Sequence, residues 1–170
     1  NFMNSRGTHI LRTVDINTPL PGTSVRPYGD VGDIYLYEAS GIFKQTQLVT
    51  SINTSLGRRV SLFGRYIYGT AHSDTDGLAT MPANPYDFST EYGRSALDIR
   101  NMAMIGGSIS APWGIRLSPF FIARSGAPFN ITTGTDVYGT GSIIPTARPS
   151  VVDGPGTGIY DTPYGYLNAN

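Results

Sequence analysis

A chain of 170 residues is long enough for one folded unit, and 39% hydrophobic residues with 11% aromatic ones exclude disorder along its whole length. Twelve basic and twelve acidic side chains cancel, which gives no reason to expect nucleic acid or an anionic surface as a partner. The absence of cysteine excludes disulfides, thiolate metal sites and cysteine nucleophiles, and no apolar run reaches the roughly eighteen residues of a membrane-spanning helix. Only 14% of residues are charged, while Gly (21) and Pro (12) are abundant, a balance that suits antiparallel β structure with many turns.

Asn1 to Arg6 has neither an initiating Met nor a basic-then-apolar leader pattern and reads as a mature or truncated end. Asn4 to Arg12 resembles the close of a strand. Asp15 to Gly32, with Pro19, Pro21, Gly22, Pro27 and Gly29, predicts an irregular connection. Asp33 to Ala39 alternates Ile34 and Leu36 against Tyr35 and Tyr37, which predicts a strand running toward Gly41.

Ile42 to Ile122 then reads as two hairpins. In the first arm Ile42, Leu48 and Ile52 share a face with Lys44, Thr46 and Thr50, opposite Gln45, Gln47, Ser51 and Asn53. The turn is Ser55 to Arg58. Val60, Leu62, Tyr66 and Tyr68 return against Arg59, Ser61, Arg65 and Gly69, with Phe43, Val49, Phe63 and Ile67 as exceptions. The second pair sets Leu97, Ile99, Ala103, Ile105 and Ile109 against Asp98, Arg100, Ser108 and Ser110, turns at Ala111 to Gly114, and returns through Ile115, Leu117, Phe121 and Ala123 against Arg116, Ser118 and Arg124. About a dozen residues per arm, tilted near 45°, cover about 28 Å, close to a hydrocarbon core. Pro119 lacks an N–H, so its strand lies at an edge or is bulged there.

The segment from His72 to Arg94 is a loop of roughly twenty residues, a length that belongs to functional, disordered or docked segments. After Arg124 a short strand is expected at Ile131 to Asp136. Mostly loop follows, with one strand near Ile143 and Ile144.

Few residues suggest chemistry. Asp74 and Asp76 before Gly77 match the opening of a calcium loop, but a calcium site needs several more oxygens and a solvated turn is the simpler reading. His9 and His72 lack the further ligands zinc requires. Asp87 and Glu91 read as loop charge rather than an acid/base pair, and no G-x-S-x-G elbow occurs. The expectation is no enzyme: catalytic, cofactor-binding and metal residues are all assigned as none. Asn53-Thr54-Ser55 and Asn130-Ile131-Thr132 match the glycosylation pattern by coincidence if the chain is bacterial. Trp113, Tyr66 and Tyr68 fit aromatics at a lipid–water boundary, or core residues of a soluble sheet.

Taken together, Ser5-Arg6-Gly7-Thr8-His9, Asp74-Thr75-Asp76-Gly77, Pro82-Ala83-Asn84, Glu91-Tyr92-Gly93-Arg94-Ser95, Asp98-Ile99-Arg100, Ala111-Pro112-Trp113-Gly114 and Pro128-Phe129-Asn130-Ile131-Thr132-Thr133-Gly134 resemble the C-terminal barrel of TonB-dependent outer-membrane receptors. The type resembled is the one with an N-terminal carboxypeptidase-regulatory-like domain, and the likeness covers roughly Asn4 to Asp136. It implies tight turns toward the periplasm, and loops around Asp76 and after Phe129 toward the outside. Three departures accompany it. Plug and TonB-contacting segments have no counterpart, and Asp136 to Gly141 stands where relatives carry an acidic loop, so calcium binding is not carried over. The third is a strand count too low for a closed barrel, and the chain also ends without the terminal aromatic that usually closes a complete one.

Five or so strands are fewer than the roughly eight of the smallest closed membrane barrel. The expected fold is therefore all-β: an antiparallel meander of long hairpins, an incomplete barrel wall with long polar loops, residues 1–170 being a single β-rich segment of a larger barrel or assembly. Expected partners are the remaining strands of a barrel or identical copies, with lipid if the segment is embedded, and no nucleic acid. The expected location is the bacterial outer membrane. The alternative is an extracellular filament or tube built through open strand edges.

Overall fold

A computed structural model describes residues 1–140 and 147–168. The expected strand near Ile143 and Ile144 lies outside the described residues. Ten strands occur among the rest: β1 (Phe2–Asp15), β2 (Tyr35–Leu56), β3 (Val60–Ser73), β4 (Gly93–Arg94), β5 (Asn101–Ser110), β6 (Arg116–Leu117), β7 (Phe120–Arg124), β8 (Ser150–Val152), β9 (Ile159–Thr162) and β10 (Gly165–Asn168). The only helical element among these residues is a 3-10 turn at Pro112–Gly114. The chain divides into a wall unit (Asn1–Gly7, Ile42–Ser73, Arg94–Pro128) and a second unit (Thr8–Gly41, Asp74–Gly93, Phe129–Asn170).

The main sheet follows the order β1-β2-β3-β5-β6, with β7 also on β5 and β4 on β3. Successive antiparallel neighbours make this the expected meander, and it does not close on itself among the described residues. Register in the wall unit runs from Phe43 opposite Ser73 to Leu56 opposite Val60, then from Val60 opposite Ile109 to Tyr68 opposite Asn101. The β2–β3 turn uses Gly57 at φ 64°, in the left-handed region that glycine enters without a Cβ clash. Pro119 interrupts the return arm, so that β6 and β7 are separate pieces at the sheet's edge, and its carbonyl accepts the Gly107 N–H at 3.1 Å.

Three boundaries differ from the sequence reading. The turn expected at Ser55 to Arg58 begins only at Gly57, because Ser55 and Leu56 still pair with Ser61 and Val60. The strand expected at Asp33 to Ala39 and the first hairpin arm are one continuous strand, β2. Gly41 permits this because a Cβ there would sit 2.4 Å from Thr75 Cγ2 and 2.9 Å from the Ile10 carbonyl oxygen. The alternation from Leu97 to Arg100 does not form a strand, since Asp98 turns inward to accept the Ala71 N–H at 2.9 Å while the Ser95 N–H bonds the Ala71 carbonyl.

In the second unit, β8, β10 and β9 form a small antiparallel sheet in that order, in a region expected to be mostly loop. Its strands are too short, and too broken by Gly and Pro, for periodicity to reveal them. Ile131 to Asp136 is not a strand. The connection after β1 is irregular, as expected, but it is ordered by two side chains. Asn17 Nδ2 donates to the Gly29 and Gly32 carbonyls and its Oδ1 accepts the Tyr28 N–H, while Asp15 Oδ1 accepts the N–H groups of Asn17 and Ile34.

Among the described residues, the buried apolar side chains are small or few: Val14, Ala71, Ala83, Ala147 and Leu167. The largest fully buried side chains are Asn17, Thr18 and Asp98, whereas Leu56 is 64% exposed and Phe121 60%. This inverts the usual partition of a water-soluble domain.

Candidate functional site: a two-faced wall

Paired residues in an antiparallel sheet point the same way, so the register assigns each face. On one face lie Leu48 beside Tyr68, Ile52 beside Gly64, and Leu56 beside Val60; farther across, Ile105 joins Gly64 and Phe121, and Ile109 joins Val60 and Leu117. Between the rows of Leu48 and Leu56 this face carries no charge, its other members being Thr50, Thr54, Leu62, Tyr66, Ala103, Gly107 and Ala123. Most of its apolar residues are a third to two-thirds exposed, Ile52 reaching 65%. Contiguous exposed apolar surface on this scale is a contact surface, not a scatter of single residues.

The opposite face is mixed. Ser51, Arg65, Met104 and Ile122 make one row, Asn53, Phe63, Gly106 and Phe120 the next, and Met102 lies between Ile67 and Arg124. Arg65 Nε donates to Ser51 Oγ at 3.4 Å, and Arg116 Nε to Ser108 Oγ at 2.6 Å. Phe63 and Phe120 approach over Gly106 with ring centroids 6.2 Å apart. The sequence exceptions Val49, Phe63 and Ile67 therefore belong to this second face.

At the turn end of the wall, Trp113 is 92% exposed and Arg58 and Arg59 sit in the neighbouring turn, whose Arg59 carbonyl accepts the Ser110 N–H. At the other end of the apolar face, the Tyr66 hydroxyl donates to Asn101 Oδ1 at 2.7 Å. Beyond it the buried Asp98 carboxylate meets Arg94 and, at 3.8 Å, Arg100. Burial pushes this carboxyl upward, but the Arg94 and Ala71 hydrogen bonds and the two guanidinium charges outweigh it and hold it below the usual carboxylate range.

Charge is distributed unevenly. The wall unit contains nine of the twelve basic side chains and only one acidic one, Asp98, a net +8; the second unit keeps three basic and eleven acidic side chains, a net −8. The neutral total conceals this because the segments that assemble each unit are interleaved in sequence.

The second unit uses its charges structurally. Arg12, 2% exposed, pairs with Asp74 at 2.8 Å and lies 4.7 Å over the Phe88 ring. Glu91, also buried, accepts the Ala83 N–H at 2.7 Å and a bond from Arg148 at 3.0 Å. Thr13 Oγ1 donates to the Leu78 carbonyl, and the Tyr86 hydroxyl to the Thr18 carbonyl. The long loop is thus docked, the third of the three readings its length allows. Asp74 is committed to Arg12, and Asp76 is exposed. Asp87 accepts the Ser89 N–H, which keeps its carboxyl low, and it forms no pair with Glu91. His9 and His72 fall in different units, and no cluster of three metal-ligating side chains occurs among the described residues. A depression lined by Asp15, Asp33, Tyr35, Met81, Pro82 and Pro85 holds about 20 Å³, room for little more than a water.

Against this geometry, a family model described as an outer membrane beta barrel domain matches residues 1–170. The chain belongs to that family. Comparisons with curated proteins and with solved structures each found no match. For an outer-membrane barrel domain, a sheet with one uncharged apolar face and a bacterial outer-membrane location go together, and the inverted burial needs no further cause. No helix among the described residues is long and apolar enough to cross a membrane.

Proposed function

We propose that this domain is a stretch of the wall of a TonB-dependent outer-membrane receptor, contributing wall and external loops to the uptake of a nutrient and performing no chemical step. The observation that carries the orientation is the uncharged face running from Leu48 to Leu56 on β2. That run is about 26 Å along the strand and roughly 20 Å along the normal at the usual tilt, near the ~25 Å apolar band of such barrels. Arg65 lies at the same depth on the other face, where contact with the bilayer midplane costs about 2–4 kcal/mol, so that face belongs to the lumen. The receptor type rests on the motif set from Ser5-Arg6-Gly7 to Thr132-Thr133-Gly134.

Environment-sensitive labels at Ile52→Cys and Ile105→Cys, compared with Ser51→Cys and Met104→Cys in vesicles containing a lipid-phase quencher, test the orientation. Quenching is expected at the first pair only, and equal quenching at both refutes it. Uptake that persists after loss of the energy-coupling partner refutes the TonB-dependent part. The open edges at β1 and β6/β7 favour a second reading, in which identical copies rather than other strands of one barrel supply the missing pairs. Fibres or tubes formed without detergent, seen by electron microscopy, are its signature.

A further inference from the structure

The lumen-side face holds more apolar surface than a hydrated wall requires. Met102 and Met104 lie in adjacent rows, flanked by Ile67 on β3 and Ile122 on β7, and next to them Phe63 and Phe120 close over Gly106. Phe120 is 61% exposed. Adaptable methionines and an aromatic pair form the floor typical of a small-molecule site, where a few placed polar groups fix orientation. Those groups are present: Arg65 is paired with Met104 across the sheet and Arg124 with Met102. Neither has an ion pair among the described residues, and their backbones are on the order of 12 Å apart by strand spacing, within reach of a common ligand for two long side chains. The surrounding unit has nine basic groups and one carboxylate, so the field over this floor favours anions.

We infer that this patch binds a small soluble anion with an apolar or aromatic body, its carboxylate, sulfonate or phosphate groups held by Arg65 and Arg124 and its body on the Met102/Met104 floor. Arginine suits this task because its planar fork bonds such oxygens in pairs. The inference rests on the lumen-facing assignment of this face.

The probe is naphthalene-1,5-disulfonate, titrated calorimetrically into the whole barrel that contains this segment, folded in zwitterionic nanodiscs. Inorganic sulfate and a naphthyl trimethylammonium cation serve as controls. Expected results are saturable binding of the disulfonate, at least tenfold weaker binding of sulfate, none of the cation, and affinity that falls as salt rises. Arg65→Gln with Arg124→Gln weakens the disulfonate at least tenfold, whereas Arg65→Lys with Arg124→Lys retains part of the affinity and guards against a folding artefact. No saturable binding, binding of the cation, or affinity unchanged in the glutamine variant overturns the inference. The two failures separate: a Met104→Cys label quenched from the lipid phase removes the assignment beneath it, while an unquenched label with no disulfonate binding removes the ligand site alone.

Discussion

Ile52 and Asn53 are consecutive on β2, at one depth and on opposite faces, which makes them a direct test of which side meets lipid. Ile52→Arg places a guanidinium near the middle of the apolar band, at a cost of about 2–4 kcal/mol if the face is lipid-exposed. It also removes a side chain that leans over Gly64, where an added Cβ would lie 3.1 Å from Ile52 Cγ2. Ile52→Ala measures that packing loss separately, about 0.5–1.5 kcal/mol for a side chain already 65% exposed. The difference between the Arg and Ala variants isolates the lipid contribution, and at about 1.4 kcal/mol per decade it amounts to roughly a 30- to 700-fold change in the folding equilibrium. Asn53→Arg is expected to stay within about 0.5 kcal/mol, as a substitution on a hydrated surface does. Reversible urea unfolding in phospholipid vesicles, followed by tryptophan emission and electrophoretic heat-shift, reads all three. An Asn53→Arg loss equal to that of Ile52→Arg, or an Ile52→Arg loss no larger than that of Ile52→Ala, refutes the assignment of faces.

Asp98→Ala should lose about 1–3 kcal/mol, because the Ala71 N–H loses its acceptor; Arg94 and Arg100 are partly exposed and recover water, which limits the loss. Since the folded carboxyl lies below its ordinary value of about 3.9, its stabilisation is complete above that pH and disappears as pH falls through the lowered folded value; hydrogen exchange at Ala71 between neutral and acid pH checks the sign. Arg12→Met removes the Asp74 ion pair and the contact over Phe88, and should loosen residues 74–93 by about 2–4 kcal/mol, seen as faster limited proteolysis within that segment. Gly106→Ala sets a Cβ 2.6 Å from the Phe63 ring and 3.0 Å from that of Phe120, costing about 1–2 kcal/mol, and a double-mutant cycle with Phe63→Leu should recover part of it.

The hairpins were legible because alternation over a dozen residues leaves one arrangement that gathers Leu48, Ile52, Leu56, Leu62, Ile105 and Ile109 on a single face. Both tight turns were legible from Gly57 and from Pro112-Trp113-Gly114. Leu97 to Arg100 misled because its alternation is that of a strand, yet Asp98 finds the Ala71 N–H and two arginines, a tertiary arrangement that no local window contains. The small sheet of β8, β9 and β10 gave no signal for the opposite reason: three or four residues per strand are too few to show a period. Charge was the largest omission. Summed along the chain it is zero, and only the pairing of Ile42–Ser73 with Arg94–Pro128 reveals that nearly all carboxylates lie elsewhere.

A wall strand must also bend, and the glycines show where this sheet permits it. Gly64 faces Ile52, Gly69 faces Gln47, Gly106 faces Phe63 and Phe120, and Gly107 faces Leu62; in each case a large cross-strand partner occupies the space a Cβ would need. Glycine relaxes the pleat so that neighbouring strands can coil, while the covering side chain shields the exposed backbone and restores part of the lost packing. Gly106 and Gly107 are consecutive and point to opposite faces, so the bend in β5 is available to both sides at one level. That level adjoins the Arg65 and Met104 row. The residues that let the wall curve therefore border the floor on which an anion is held, and stiffening Gly106 should weaken disulfonate binding along with stability.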